Sequence, residues 1–143
     1  MIDPVVREFT AADEVALDEL AALARESIRE ARGGARWIET HPLPSWNDPD
    51  VVVLVADLDG VVIGYLAARM GSDQVMEVNE VFVLEQAREV GFGDALVEEI
   101  QCLARQRGAK RLEAEALPGD RDTKNLWERA GITARLITVS VDL

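Results

Sequence analysis

Four residue types are scarce in this sequence of 143 residues, which has one cysteine, one histidine, one tyrosine and two lysines. The lone Cys102 excludes an internal disulfide, and its position beside an apolar helical stripe predicts a buried and unreactive thiol. His41 has neither a cysteine nor another histidine to accompany it, so the sequence predicts no metal site.

Long apolar runs are missing as well. No run approaches the roughly 18 residues that a membrane-spanning helix needs. Residues 1–4 lack the basic and then apolar pattern of a signal peptide. We therefore expect a cytoplasmic protein that does not bind a membrane, with residues 1–143 forming a single domain.

Positive charge is scarce relative to negative charge: 15 lysines and arginines stand against 27 aspartates and glutamates, a net charge of −12. Nucleic-acid binding relies on clustered lysine and arginine, so no nucleic-acid partner is expected. An excess of carboxylates favours cationic partners, although a solvated acidic surface that serves only solubility gives the same composition.

The most informative stretch is 81–96, where an apolar strand runs into a polar loop and two glycines, Gly91 and Gly93, open an amphipathic helix. Apolar residues then recur at helical spacing until Gly108 follows a basic last turn. The first backbone N–H groups of such a helix have no partner within it and lie at the positive end of its dipole. The stretch therefore predicts a site for a phosphate.

Three phosphate-binding motifs compete for this loop. A P-loop requires Gly-Lys-Ser/Thr, and it is excluded because Asp94 follows Gly93. A dinucleotide-binding fingerprint fits the Gly-x-Gly start, but Leu96 replaces its third glycine. The third motif is Arg88-x-x-Gly91-x-Gly93 after a strand, which resembles the pyrophosphate loop of the GNAT N-acetyltransferase superfamily. The motif alone does not exclude an ordinary glycine-rich helix start.

The rest of the chain supplies the context. Apolar periodicity and turn residues predict a strand at 5–9, a helix from Thr10 to about Arg32, and a proline-rich loop with at most a short helical turn at 35–50. The remaining predictions are strands at 51–56, 61–70 and 75–83, a helix from 93 to about 107, a strand at 110–117, a helix at 122–130 and a final strand region at 132–143.

This element order resembles the GNAT fold over nearly the whole chain. The predicted fold class is α/β (α+β), a mixed and mostly antiparallel central sheet of six to seven strands with helices on both faces. Two C-terminal runs strengthen the resemblance: 125–132 is similar to the family's segment ending in Tyr-Glu-Lys-x-Gly-Phe, and 117–125 carries the Pro-Gly-Asp-Arg and Thr-Lys-Asn of a bacterial subgroup. The chain is thus identified as resembling a bacterial single-domain GNAT protein.

The resemblance implies that acetyl-CoA is a co-substrate and that an amine attacks its thioester directly within a ternary complex. The backbone of Phe82 and Val83 would pair with the pantetheine amides, and backbone N–H groups in 88–93 would hold the pyrophosphate. Gly91 and Gly93 would leave room for the phosphates. The full set of implied cofactor-binding residues is Phe82, Val83, Arg88, Glu89, Val90, Gly91, Phe92, Gly93 and Asn125.

Catalytic residues follow from the same resemblance. Glu80 is the candidate general base, because it precedes Val81 on a strand where several family members carry a catalytic glutamate. Glu77 is the alternative, and strict alternation along the strand places it on the opposite face from Glu80. Either glutamate can also be a plain polar strand residue. Trp127 stands where the family commonly has a tyrosine that protonates the leaving thiolate, and an indole N–H donates a hydrogen bond without releasing its proton usefully.

Aromatic residues in the 35–50 loop are candidates for the acceptor site. Trp37 and Trp46 can hold an ammonium group by cation–π contact, although loop aromatics also anchor loops onto a core. The predicted function is an N-acetyltransferase that acts on a primary amine of a small molecule, peptide or protein. A non-catalytic acyl-CoA-binding or regulatory domain is the alternative, a dinucleotide binder is a more distant one, and a homodimer is possible for this superfamily.

Overall fold

The structure, a computed structural model, describes residues 5–88 and 90–143. Glu89, which the resemblance assigns to cofactor binding, and residues 1–4 lie outside the described residues. The described elements are β1 (Val5–Glu8), α1 (Glu14–Glu30), α2 (Gly34–Thr40), β2 (Val51–Leu58), β3 (Val61–Met70), β4 (Val75–Val83), α3 (Phe92–Gln106), β5 (Arg111–Ala114) and α4 (Arg121–Arg129).

The five strands of the described part form one sheet in the order β1-β2-β3-β4-β5. The first four strands are antiparallel to their neighbours, and β5 is parallel to β4. The predicted class, a mixed and mostly antiparallel sheet with helices on both faces, is confirmed. The predicted count of six to seven strands is higher than the five that the described residues form.

The missing strand is the one predicted at 132–143, where the described chain is irregular. Ile132 packs against the core, but Leu136 and Val139 are 89% and 87% exposed, so the apolar pattern beyond Ile132 is not buried. The strand-forming residues of this segment have no neighbouring strand to pair with in the described part of the chain. β5 has only four residues, whereas eight are predicted. β3 and β4, by contrast, have the predicted bounds.

Two apolar cores cover the two faces of the sheet. On one face, α3 and α4 pack on alternate residues of the central strands, and full burial of a side chain such as Leu96 stabilises the fold by roughly 1.5–3 kcal/mol. On the other face, α1 packs on the intervening residues, which include Val55 and Tyr65. The period-2 alternation of each strand thus separates the two cores.

One expectation about the helices is wrong, and one helical turn that the sequence allowed is a longer element. Cys102 lies on α3 but is exposed, because the apolar stripe of α3 faces the sheet at a different angle. The predicted 35–50 loop begins with a seven-residue helix, α2, which starts at Gly34 and ends at Thr40. Among the described residues, no helix combines the length and the apolar character that crossing a membrane requires.

The parallel strands β4 and β5 separate after four residue pairs, Val75–Val78 with Arg111–Ala114. β4 continues to Val83 along β3, whereas the chain after β5 turns away toward Pro118. A bulge interrupts the β3–β4 pairing, since Ala67 opposes Glu80 and Ala68 opposes Val78, which leaves Asn79 as the extra residue. The separation and the bulge together shape the candidate site.

Candidate functional site

A groove with a volume of about 490 Å³ follows the free edge of β4. We call it the groove, and it is bounded by β4, by the loop and first turn of α3, and by α4. Because β5 has already separated from β4, no described strand pairs with residues 79–83 on this side. Their backbone groups that face the groove are open to an extended ligand, except the Val83 carbonyl, which accepts from Arg88. Its lining residues include Val81, Phe82, Val83, Arg88, Gly91, Gly93, Asp94, Asp122, Asn125 and Arg129.

The first turn of α3 lies at one end of the groove. Gly91 precedes the helix with a φ of 91°, a left-handed conformation that glycine adopts without steric cost. Ala95 donates to the Gly91 carbonyl at 3.0 Å, but among the described residues no acceptor is found for the N–H groups of Phe92 and Asp94. These N–H groups and the positive end of the helix dipole favour an anion at this position, which we call the candidate anion site.

Arginine and aspartate side chains are paired around this candidate anion site. Arg88 donates to the Val83 carbonyl at 2.9 Å and to Asp122 of α4 at 3.0 Å, and its guanidinium lies 5.7 Å from the centre of the Phe82 ring. Arg129 of α4 donates to Asp94 at 3.2 Å and so offsets a negative charge beside the helix start. Arg88 is therefore placed at the groove, with its charge shared between the strand end and α4.

Gly93 has a packing role in addition to the one that the sequence predicts. A Cβ added at this position would lie 3.2 Å from Cδ1 of Leu126, so Gly93 allows α4 to approach α3 closely. Leu126 also lines the groove. That a Cβ at Gly93 would obstruct phosphates stays a prediction.

A smaller cavity of about 80 Å³ continues from the groove toward the centre of the sheet. We call it the pocket. The groove and the pocket share five lining residues, Ala24, Ile28, Val81, Asp120 and Thr123. The pocket is also lined by Trp37, Tyr65, Glu80, Glu115 and Trp127.

Glu80 is the buried acid of this pocket, with only 7% of its surface exposed. One carboxylate oxygen forms an ion pair with Arg25 of α1, and the other accepts from the Tyr65 hydroxyl at 2.7 Å. Burial, reinforced by the charge of Glu80, raises the pKa of Tyr65, so the phenol stays protonated and remains a donor. The carboxylate thus has two donors, and its remaining lone pairs are free for a third partner.

The bulge at Asn79 decides which way Glu80 points. Glu77 opposes Arg69 and Glu80 opposes Ala67, and Arg69 and Ala67 are two residues apart on β3. Both glutamates therefore lie on the same face of the sheet, and the expectation of opposite faces is wrong because strict alternation ignores the extra residue. Glu77 is exposed and does not line the pocket.

The two tryptophans predicted for the acceptor site are in different places. Trp37 lines the pocket and stacks on His41, with ring centres 4.2 Å apart and planes 7° from parallel. Trp46 is 6% exposed, donates to Asp18 at 2.8 Å and meets Tyr65 edge-on at 5.4 Å. The structure therefore brings Trp37 to the pocket and places Trp46 in the core beneath α1.

Arg25 and Tyr65 are site residues that sequence reasoning missed. Arg25 lies 55 positions before Glu80, and no local pattern links an arginine on a helix to a glutamate on a strand so far away. Core packing is the simpler sequence interpretation of Tyr65, which is the one tyrosine of the chain and lies on β3.

Trp127 lies in the wall of the pocket and is 6% exposed. Its indole N–H has no hydrogen-bond partner within the part of the chain that is described. Such a group is a donor that does not release its proton usefully, so the geometry provides no protein acid at this position.

Residues 16–132 match the family model described as "Acetyltransferase (GNAT) family". The chain belongs to this acetyltransferase family. The predicted resemblance is thereby confirmed over most of the described chain. YhfO of Bacillus subtilis (strain 168), an uncharacterized N-acetyltransferase, is 25% identical over 131 residues, which cover 88% of this chain and 87% of YhfO.

Solved structures share the fold of this GNAT domain. A single-substitution mutant of the BH1408 protein from Bacillus halodurans matches with a TM-score of 0.82 at 17% identity, covering 97% of this chain and 99% of that chain. The aminoglycoside N-acetyltransferase AAC(6')-Iy in complex with CoA matches with a TM-score of 0.71 at 16% identity, covering 97% of this chain and 100% of that chain. At this identity the structural matches establish the fold only.

Proposed function

We propose that this GNAT domain transfers an acetyl group from acetyl-CoA to a primary amine by direct attack in a ternary complex. The observation that carries the proposal is the continuity of the groove with the pocket, because one cavity system joins the candidate anion site, an open strand edge and a buried carboxylate. Acetyl transfer is the general chemistry of the family, and the groove supports acetyl-CoA as the donor.

The shape and the polar groups of the groove fit the two ends of CoA. The open backbone at Phe82 and Val83 can accept the pantetheine amides as an added strand would. The N–H groups at the start of α3, preceded by Val90 and Gly91, can hold the diphosphate, with Arg88 and Asn125 at its sides.

The pocket would then hold the reacting groups. An ammonium ion must lose one proton before its nitrogen can attack, and Glu80 is the proposed base for this step. The nitrogen forms a bond to the thioester carbonyl carbon, the carbon–sulfur bond breaks, and its electron pair leaves on sulfur. The nitrogen then gives its second proton to water, and the same solvent returns one proton to sulfur, because Trp127 supplies none. A thiolate with a conjugate pKa of about 8.5 leaves without an acid.

The acceptor is proposed to enter on the side of Trp37 and Glu115. A flat aromatic face and a carboxylate both favour a cation, which fits the ammonium form of a small-molecule, peptide or protein amine. Trp46 would act on this site only through packing, since its ring edge supports Tyr65.

Calorimetry with acetyl-CoA, followed by a thiol-release assay across a panel of amines, tests the proposal. We expect Glu80→Gln to lower turnover by about 100-fold or more, the range of a lost general base, while acetyl-CoA affinity stays within about threefold. Glu77→Gln is the matched control, since it changes the same residue type on the same strand and face outside the pocket. Equal turnover of the Glu80→Gln and Glu77→Gln variants would remove Glu80 as the base.

A second candidate function is a non-catalytic acyl-CoA-binding or regulatory domain. It is favoured by one observation: both oxygens of Glu80 already accept hydrogen bonds and Trp127 offers no acid. Tight binding of acetyl-CoA with no thiol release over the whole panel would support this candidate. Failure of acetyl-CoA to bind at millimolar concentration would contradict both functions.

A further inference from the structure

Arg25 is a buried arginine that touches three parts of the pocket at once. It is 9% exposed, and its guanidinium forms an ion pair with Glu80 of β4. The same group donates to the carbonyl of His41, just past the end of α2, at 2.7 Å. Its plane also lies 5.7 Å from the ring centre of Trp37. One side chain of α1 therefore joins the proposed base to the proposed acceptor wall.

Burying a guanidinium and a carboxylate is costly unless each is well paired. The carboxylate of Glu80 has a cation on one oxygen and the neutral phenol of Tyr65 on the other, so Arg25 supplies the charge that balances it. The other titratable groups that line the pocket are Glu115 and Asp120, and both are acidic. These carboxylates add negative charge beside Glu80, and Arg25 is the cation that offsets the charge of Glu80.

We propose that Arg25 is a positioning residue, which holds the Glu80 carboxylate in place and fixes its distance from the acceptor wall at Trp37 and His41. This inference rests on the proposed function, because it assigns Arg25 a role in the same reaction. A guanidinium is required rather than a simple ammonium, since only a planar fork can bind a carboxylate and a carbonyl and also lie against an aromatic ring.

The first test compares Arg25→Lys with Arg29→Lys, a matched control on the same helix whose side chain is exposed. We expect Arg25→Lys to lower kcat by about 10-fold or more and to raise KM for the amine, with the Kd of acetyl-CoA unchanged within about twofold. Arg29→Lys should leave all three constants unchanged. Methylguanidinium added to Arg25→Ala should restore part of the lost rate. A uniform loss across kcat, KM and Kd without rescue would overturn the proposal.

The second test does not depend on activity. Carboxyl carbon NMR of the glutamate-labelled full chain, with Glu80 assigned from the Glu80→Gln variant, reports the contacts of that side chain at a fixed pH of 7. In Arg25→Gln we expect the Glu80 carboxyl signal to leave its wild-type chemical shift, because the ion pair with Arg25 is gone. An unchanged chemical shift in a variant that is folded by circular dichroism would overturn the proposal. A changed chemical shift together with an inactive wild type would support the Arg25–Glu80 contact while contradicting the transferase.

Discussion

The side chain of Arg7, near the start of the chain, forms ion pairs with two carboxylates. Its guanidinium donates to both oxygens of Asp13, at 2.8 and 2.9 Å, and to Asp57 at 3.1 Å. Hydrogen bonds from Arg7 are the main reason that the pKa of Asp13 falls from 3.8 to about 2, and the same contacts raise the pKa of Arg7. Asp13 also accepts from the backbone N–H of Thr10 at 2.9 Å, so one acid links β1, the turn and α1.

We expect this pair to make stability depend on acid. Because the folded-state pKa of Asp13 is lowered, its contribution is fully present above about pH 4 and is lost as the pH falls toward 2. The contribution is at most about 2 kcal/mol, since Arg7 is one-third exposed and solvent screens the pair. Asp13→Asn should lower the free energy of unfolding by that amount at pH 7 and by almost nothing at pH 2.

Urea unfolding at pH 7, 4 and 2.5 measures this difference. Asn keeps one oxygen for the Thr10 N–H and replaces the other by an amide donor, so the comparison removes the charge together with one hydrogen bond from Arg7. Asp50→Asn, at an exposed position, serves as the control. If Asp13→Asn lowers the free energy of unfolding by the same amount from pH 7 to 2.5, the charge of Asp13 does not contribute to stability.

At the scale of the element, α3 has a left-handed glycine at each end. Gly91 precedes the helix with φ 91°, and Gly108 follows it with φ 78° and has no heavy atom within 4 Å of an added Cβ. A left-handed conformation costs an L-residue roughly 1–2 kcal/mol relative to glycine. The two positions therefore carry the same backbone strain on substitution, but only Gly91 lies in the groove.

Gly91→Ala and Gly108→Ala should each lower the free energy of unfolding by about 1 kcal/mol. Only Gly91→Ala should also weaken acetyl-CoA binding, by about tenfold or about 1.4 kcal/mol, because the first turn of α3 shifts. Thermal unfolding and calorimetry measure the two effects. An equal loss of acetyl-CoA affinity in both variants would place the anion site away from this turn.

The sequence predicts an element well when the information is local. The bounds of β4 and the start of α3 follow from alternation and from two glycines within a few residues of each other. The pairing of Arg25 with Glu80 depends on how α1 packs on the sheet, and the bulge at Asn79 depends on the register with β3. The strand predicted at 132–143 fails for the same reason, since strand formation needs a partner that no local pattern reveals.

At the scale of the whole molecule, the net charge of −12 opposes the approach of a polyanion. The net negative charge repels the phosphates of CoA at long range, whereas the arginines at the groove attract them only over a few ångströms. Salt screens the long-range part first, with a Debye length of about 30 Å at 0.01 M and about 8 Å at 0.15 M.

The association rate constant of CoA should therefore rise about two- to tenfold between 0.01 and 0.15 M salt. Stopped-flow measurement with the intrinsic tryptophan signal tests this, and pantetheine, which lacks the phosphates, is the control with a flat salt response. A rate constant for CoA that falls with salt would show that the positive field of the groove dominates at long range.

The extra residue Asn79 reverses the alternation of side chains along β4. Each side chain after Asn79 lies on the face that a regular strand would give to the residue before it. Deleting Asn79 would close the bulge and leave Glu80 opposite Ala67, with its carboxylate on the same face as before. A regular strand that retained Asn79 would instead turn the carboxylate toward the layer of α3 and α4 and bring Val81 to the pocket. Loss of one codon at this point thus keeps the polar lining, whereas loss of the bulge with every codon retained exchanges it for an apolar one.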